Sequence, residues 1–238
     1  GLSKSKEQCS KTPWKTLTQC WHQADLKRLR SKMTYDLFSD QFENANIGEK
    51  ISIPDSDILH FQGLFGSSDA DNLLTRLKSE IQWKQEQIKL YGQVHDLPRL
   101  TAWYGDPDTT YTYSGIAVES LPWTQPLLEI KEKIEEVSEV SFNSVLLNRY
   151  RNGADSVSWH ADDEPELGKN PAIGSVSFGD IRPFHLRHKT KNEKTKILLG
   201  HGSYLLMQGP TQHNWLHQIA KSKKILSERI NLTFRRIV

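Results

Sequence analysis

The stretch Leu147–Glu164, LNRYRNGADSVSWHADDE, decides how the chain is read. It runs from an apolar segment into a turn at Arg151, Asn152 and Gly153 and emerges at His160-Ala161-Asp162. Side chains alternate with a period of two along an extended backbone, so an imidazole and a carboxylate two residues apart point the same way. A 2-His-1-carboxylate iron site presents its first two ligands in this manner and needs one more histidine from elsewhere in the chain. Taken alone, a His-x-Asp is more often an acidic surface turn, so the reading depends on what else the sequence supplies.

The downstream candidates are His185, His188, His201, His213 and His217. His185 and His188 flank a basic segment, and His201 sits between two glycines at a turn. Trp215-Leu216-His217 alternates as a strand does, just ahead of the last extended stretch, which puts His217 first and His213 second on spacing. That last stretch, Arg229-Ile230-Asn231-Leu232-Thr233-Phe234-Arg235, places polar residues on one face and apolar ones on the other. Two arginines on the inner face of a small barrel would be buried cations, costing several kcal/mol unless an anion neutralises them. A dicarboxylate beside a metal would do so, with arginine giving it a bidentate contact. An edge strand with its arginines in solvent or on phosphates is the plainer alternative.

The 238 residues suffice for one large domain, or for a domain with an N-terminal extension. Hydrophobic residues at 36% and charged residues at 25% fit a globular protein and exclude a disordered chain. No run of about eighteen apolar residues predicts a membrane helix, and the first residues lack the apolar centre of a secretory signal. Net charge is only +2, but residues 1–33 carry eight Lys and Arg against Glu7 and Asp25, and Arg187–Lys196 reads RHKTKNEKTK. Such patches suit a polyanion, although solvated lysine faces are common. Cys9 and Cys20 form neither a metal spacing nor a disulfide framework, which favours an intracellular setting.

Residues 1–50 are polar and basic and read as a flexible arm ahead of a domain over 51–238. Strand character at Ile51–Leu59 is broken by Pro54. A helix capped by Ser67 or Ser68 follows, with Leu73, Leu74, Leu77 and Ile81 on one face. A strand over Lys84–Tyr91 ends at a Tyr91-Gly92 turn, and Pro98–Tyr104 is next. Pro126–Val140 is an amphipathic helix with Leu127, Ile130, Ile134 and Val137 on its apolar side. Strands are then expected at 144–150, 173–178, 182–188, 196–199, 203–208, 215–219 and 229–237. The class is α+β, mainly β: a sandwich or barrel with helices on one side.

Together these residues resemble the AlkB family of Fe(II)- and 2-oxoglutarate-dependent dioxygenases. The matching pieces, in the family's order, are Asn148-Arg149-Tyr150, His160-Ala161-Asp162-Asp163-Glu164, Ser175-Val176-Ser177-Phe178-Gly179, Trp215-Leu216-His217 and Arg229-x-Asn231-x-Thr233-Phe234-Arg235. Each piece is weak and the ordered set is specific. The resemblance implies a double-stranded β-helix (jelly-roll) core over 142–238 and a nucleotide-recognition part over 51–120. It implies His217 as the third iron ligand beside His160 and Asp162. By position, Arg229 and Tyr150 would hold the distal carboxylate of 2-oxoglutarate. Asn148 and Arg235 would lie near the other carboxylate, and Asn231 would support the pocket. With O2 as co-substrate, the implied chemistry is oxidative decarboxylation to succinate and hydroxylation of an N-methyl carbon, after which formaldehyde leaves.

Within the family, Leu90-Tyr91-Gly92, Pro98-Arg99, Tyr104-Gly105-Asp106 and Tyr111-Thr112-Tyr113-Ser114-Gly115 are similar to homologues that repair alkylated duplex DNA. Tyr91 stands where a finger residue fills the gap left by a flipped base, a position at which duplex specialists more often carry Phe. Tyr113, with Tyr111 and Trp103 nearby, offers a stacking surface for that base. Asp163 and Glu164 would reach an exocyclic amino group, and Arg99 and the Arg187–Lys196 cluster would contact phosphates. For the aromatic residues core packing is the competing reading, and for the basic cluster a solvated loop. The resemblance therefore implies a monomeric intracellular demethylase of N1-methyladenine and N3-methylcytosine in DNA, nuclear in a eukaryote and cytoplasmic in a bacterium. An RNA or single-strand demethylase and a non-catalytic nucleic-acid-binding relative are the alternatives.

Overall fold

Pro54 and Asp55 break the first extended stretch in two. Asp55 takes a left-handed φ of 51°, and the chain doubles back so that β1 (Glu49–Lys50) pairs antiparallel with β2 (Asp57–Phe61). The structure, a computed structural model, describes residues 47–90, 92–107, 109–113, 116–224 and 226–238, with the backbone alone at 90, 110–113 and 116–119. Most of the basic arm read over 1–50 therefore lies outside the described residues. Helix α1 (Ser67–Glu80) buries Ala70, Leu73 and Leu77, the spacing of a single face. Its N-cap is Gly66 and not either serine: the Gly66 carbonyl accepts the Ala70 N–H at 2.8 Å, so Ser67 and Ser68 already lie in the first turn.

A hairpin of β3 (Gln87–Leu90) and β4 (Gln93–Asp96) follows, with Gly92 at φ 82°. Then come β5 (Leu100–Gly105) and a second hairpin, β6 (Thr110–Tyr113) with β7 (Ile116–Glu119). The short β8 (Leu121–Pro122) leads into α2 (Gln125–Ser138), which buries Leu127, Ile130 and Ile134 and ends where Glu139 turns left-handed at φ 55°. The rest is β9 (Ser144–Tyr150), β10 (Val157–His160), β11 (Ile173–Gly179), β12 (Arg182–His188), β13 (Lys194–Leu199), β14 (Ser203–Gln208), the single turn α3 (Thr211–Asn214), β15 (Trp215–Ile219) and β16 (Arg229–Arg235). Sequence alternation locates all of these strands except β10, which is only four residues long.

Eight strands form one sheet in the order β1-β2-β14-β11-β16-β9-β5-β8, and four form another in the order β10-β15-β12-β13. The larger sheet is built from both sides of residue 142, since β2 and β5 belong to it. Its two faces are chemically distinct. Val145 and Leu147 on β9, Val176 and Phe178 on β11, and Ile230, Leu232 and Phe234 on β16 pack with α1 and α2 in one core cluster. The opposite face carries Tyr150, Ile173, Leu205 and Met207, which pack against Phe184, Leu186, Trp215 and Ile219 of the smaller sheet. This is the jelly-roll sandwich, with its helices on the outer face. Period-two alternation therefore sends Asn148, Arg229, Asn231, Thr233 and Arg235 into the space between the sheets.

Candidate active site

Strand pairing creates the central cluster. β10 and β15 run antiparallel with His160 opposite His217, and the ladder shifts register between Val157 and His160. Their rings meet edge to face at 4.2 Å between centroids. Asp162 follows two residues later, and one donor atom from each of His160, Asp162 and His217 lies within 4.8 Å of the other two. Asp162 Oδ2 is 3.5 Å from His217 Nε2. Of the other histidines weighed, His188 points to Asp55, His201 to Gly179 and Asp71, and His213 to Asn170.

Each ligand is held by a neighbour. His160 Nδ1 faces the Ser158 carbonyl at 2.8 Å, which leaves Nε2 for the cluster. The Asp162 N–H donates to Gln212 Oε1 at 3.0 Å, and Gln212 is fully buried at 0% exposure. Phe184 stacks on the His217 ring at 5.0 Å. Burial pushes the His217 pKa down to about 3, with His160 adding to the shift, so its imidazole stays neutral and keeps its lone pair. Burial pushes the Asp162 carboxyl up, but the Arg235 guanidinium leads the opposing effects, and the carboxyl lies below its usual range. Two imidazoles and a carboxylate fit a divalent first-row metal as a facial triad.

Beside this cluster, Arg229 is 1% exposed. Its Nη2 donates to Ser177 Oγ at 2.9 Å, while Nε and Nη1 are buried with no hydrogen-bond acceptor among the described residues. Tyr150 lies 5.2 Å away and Arg182 packs against the same ring at 5.8 Å. Burial pushes the Arg229 pKa down to about 10, with Tyr150 opposing and Arg182 adding. A buried cation with two open donors needs an anion, and a carboxylate matches its fork. Asn231 Nδ2 donates to Ser175 Oγ and to the Val176 carbonyl, each at 2.9 Å. Arg235 Nη2 donates to Asp162 Oδ1. One cavity of about 670 Å³, lined by Tyr150, Ser175, Asn231 and Arg235 among others, holds both the ligand cluster and Arg229.

The sequence matches the 2OG-Fe(II) oxygenase superfamily over residues 57–235. It is 39% identical over 186 residues to the DNA oxidative demethylase ALKBH2 of Homo sapiens, covering 74% of this chain and 71% of that protein. The chain belongs to the AlkB family of Fe(II)- and 2-oxoglutarate-dependent dioxygenases. An alpha-ketoglutarate-dependent dioxygenase, alkB homolog 3 of Bos taurus, is 44% identical over 185 residues, covering 74% of this chain and 64% of that protein. The fold likeness extends to the solved structure of OsALKBH1, with a TM-score of 0.57 at 18% identity over 79% of this chain and 100% of that one. The AlkB cofactors, Fe(II) and 2-oxoglutarate, fit the donor set and the open guanidinium of the cavity.

The residues expected at the substrate side are distributed differently. Tyr91 lies outside the described residues, and Tyr111 and Tyr113 lie on β6, where only the backbone is described. Glu164 lines the cavity. Asp163 is paired with Lys189 at 2.7 Å, and Lys189 also donates to the Gln212 carbonyl at 2.9 Å. Arg99 lines the cavity, where its Nε donates to Asn148 Oδ1 at 2.6 Å and its Nη1 to the Ser156 carbonyl at 3.3 Å. In the basic hairpin Arg187 covers the Trp159 ring at 4.6 Å, and Lys191 pairs with Asp55. Sequence reasoning missed Gln212 and Arg182, and it quoted Ser175 and Ser177 as part of a motif without giving them a place in the site. Only the Ser175-x-Ser177 alternation carried a usable signal, since it puts both hydroxyls on the face of Asn231 and Arg229.

Proposed function

We propose that the chain is an Fe(II)/2-oxoglutarate-dependent oxidative demethylase that repairs N1-methyladenine and N3-methylcytosine in DNA. The observation that carries it is the convergence of His160, Asp162 and His217 in a cavity that also holds a buried, under-bonded Arg229. Relatives named DNA oxidative demethylase support DNA as the substrate class.

In this reading His160, Asp162 and His217 hold the iron. Arg229 and Tyr150 bind the distal carboxylate of 2-oxoglutarate, Asn148 and Arg235 face the proximal one, and Asn231 braces Arg229's strand against β11. Bound iron, 2-oxoglutarate and O2 supply the oxidising power to hydroxylate the N-methyl carbon. The protein's part is to bury the reacting centre and to orient the base. Tyr91 fills the gap left by the flipped nucleotide, Tyr111 and Tyr113 stack on it, and Glu164 with Asp163 reads its exocyclic amine. The basic arm and the Arg187–Lys196 hairpin belong to the same reading as contacts to the polyanion, and the protein acts as an intracellular monomer. Among the described residues no helix is long and apolar enough to cross a membrane.

The test is anaerobic loading with Fe(II) and 2-oxoglutarate, then air and matched single- and double-stranded oligonucleotides carrying one N1-methyladenine. Wild type is expected to release succinate and formaldehyde in step with demethylation, and His160→Ala neither. Cofactor binding without loss of the methyl group would leave the dioxygenase and remove the substrate. The strand ratio, with an RNA arm beside it, sets the preference.

A further inference from the structure

We propose that Arg99 is a positioning residue for 2-oxoglutarate, acting by fixing which end of the Asn148 side-chain amide faces the cavity. The inference rests on the keto-acid reading of that cavity. Arginine carries five donors and no acceptor, so the group it meets on Asn148 must be the oxygen. The 2.6 Å bond from Arg99 Nε to Asn148 Oδ1 therefore settles an amide orientation that shape alone leaves open. It leaves Nδ2 as a donor with no hydrogen-bond partner among the described residues, on a residue 7% exposed that lines the cavity with Arg229 and Arg235. Turned over, the amide would present its oxygen to a carboxylate and repel it.

Arg99 is itself held in place. Its N–H donates to the Leu97 carbonyl at 2.8 Å, and the Ser156 N–H donates to the Pro98 carbonyl at 2.8 Å. One residue on, β5 pairs with β9 through Leu100 opposite Arg149 and Thr101 opposite Asn148. The guanidinium is thus delivered by backbone that β9 and the approach to β10 both fix. Its Nε and Nη1 are thereby committed to Asn148 and Ser156.

The experiment compares wild type with Arg99→Met, Arg99→Lys, Asn148→Ala and the double variant Arg99→Met/Asn148→Ala. The readouts are the dissociation constant of 2-oxoglutarate with Mn(II), anaerobically and without nucleic acid, and the salt dependence of binding to a methylated oligonucleotide. Losing one oriented hydrogen bond should weaken 2-oxoglutarate about tenfold in Arg99→Met. Arg99→Lys should recover part of that, and the double variant should be no weaker than Asn148→Ala alone, because Arg99 acts through Asn148. The salt slope should not change. Should the Met variant fold poorly, Arg99→Gln reaches only as far as the Nε position, offers Asn148 an acceptor as well as a donor, lets the amide turn over and carries the same expectation. Additive losses would overturn the proposal. So would unchanged keto-acid binding with a salt slope smaller by about one, the mark of a phosphate contact. A wild type that does not bind 2-oxoglutarate at all would remove the keto-acid reading first, a result distinct from either.

Discussion

Arg235 and Asp162, 73 positions apart, meet in a buried ion pair in which Nη2 of the guanidinium donates to Oδ1 of the carboxylate. The guanidinium holds the Asp162 carboxyl below its usual range against burial, which pushes it up. Removing one member of such a pair strands the other and costs about 3–5 kcal/mol. Arg235→Met should therefore lose that much stability in metal-free protein, measured by denaturant unfolding. Added Mn(II) should restore more to the variant than it adds to wild type, because a cation at Asp162 replaces the lost charge. Equal stability of the two metal-free proteins would contradict this.

Arg229 should behave in the opposite way. Its buried Nε and Nη1 have no acceptor among the described residues, so the cofactor-free fold carries an unneutralised cation. Arg229→Met should leave cofactor-free stability unchanged or raised. It should weaken 2-oxoglutarate roughly a hundredfold or more, the scale of losing a buried charge-assisted contact. In a thermal shift assay 2-oxoglutarate should raise the melting temperature of wild type and not of the variant.

Gly179 has no room for a side chain. It sits at φ 86°, and a Cβ there would lie 2.3 Å from the Glu228 carbonyl oxygen. Gly179→Ala should lose on the order of 3 kcal/mol, combining left-handed strain with a backbone clash. The loss should appear as a lower denaturant midpoint at unchanged slope. A variant within 0.5 kcal/mol of wild type, about the scatter of an ordinary surface substitution, would show that the Glu228 turn yields freely.

His60, on β2, is 4% exposed, and its Nε2 has no partner among the described residues. Burial lowers its pKa from the ordinary 6.5, with Glu49 partly opposing. The unfolded chain then binds this proton more readily than the folded one, so stability is lost as pH falls below about 6.5. His60→Leu should flatten that part of the stability profile between about pH 7.5 and 5.5. Superimposable slopes would mean that the folded protein takes up the proton at no disadvantage.

What the sequence revealed follows from which signals are local. Alternation in Arg229–Arg235 needs only one strand, so it identified four inward polar side chains, and Thr233 completes the set by donating to Asn231 Oδ1 at 3.2 Å. His160-x-Asp162 is legible for the same reason. Gln212 is not: it reaches Asp162 from a single helical turn 50 residues away, and nothing in Thr211–Asn214 marks one side chain as buried. Arg99 was legible as a cation but not as a partner of Asn148, because that pairing depends on how β5 and β9 register. The N-cap of α1 moved to Gly66 because the carbonyl, not a serine hydroxyl, starts that helix.

The strand that supplies Arg229, Asn231 and Arg235 is the last one described, yet it lies fourth from the β8 edge of the eight-stranded sheet, hydrogen-bonded to β11 on one side and β9 on the other. A chain leaving the ribosome makes both neighbours long before this strand exists. Until it arrives, two half-sheets face each other with bare inner edges, and such edges invite pairing with other chains. Closing the gap requires contacts between residues far apart in sequence, which form late and slowly. The buried Arg229 and the charge partner of Asp162 thus come into being together, in one insertion step between strands already made. A nascent or truncated chain short of Arg229 would carry the histidines and the aspartate but neither of the two buried guanidiniums of the cavity.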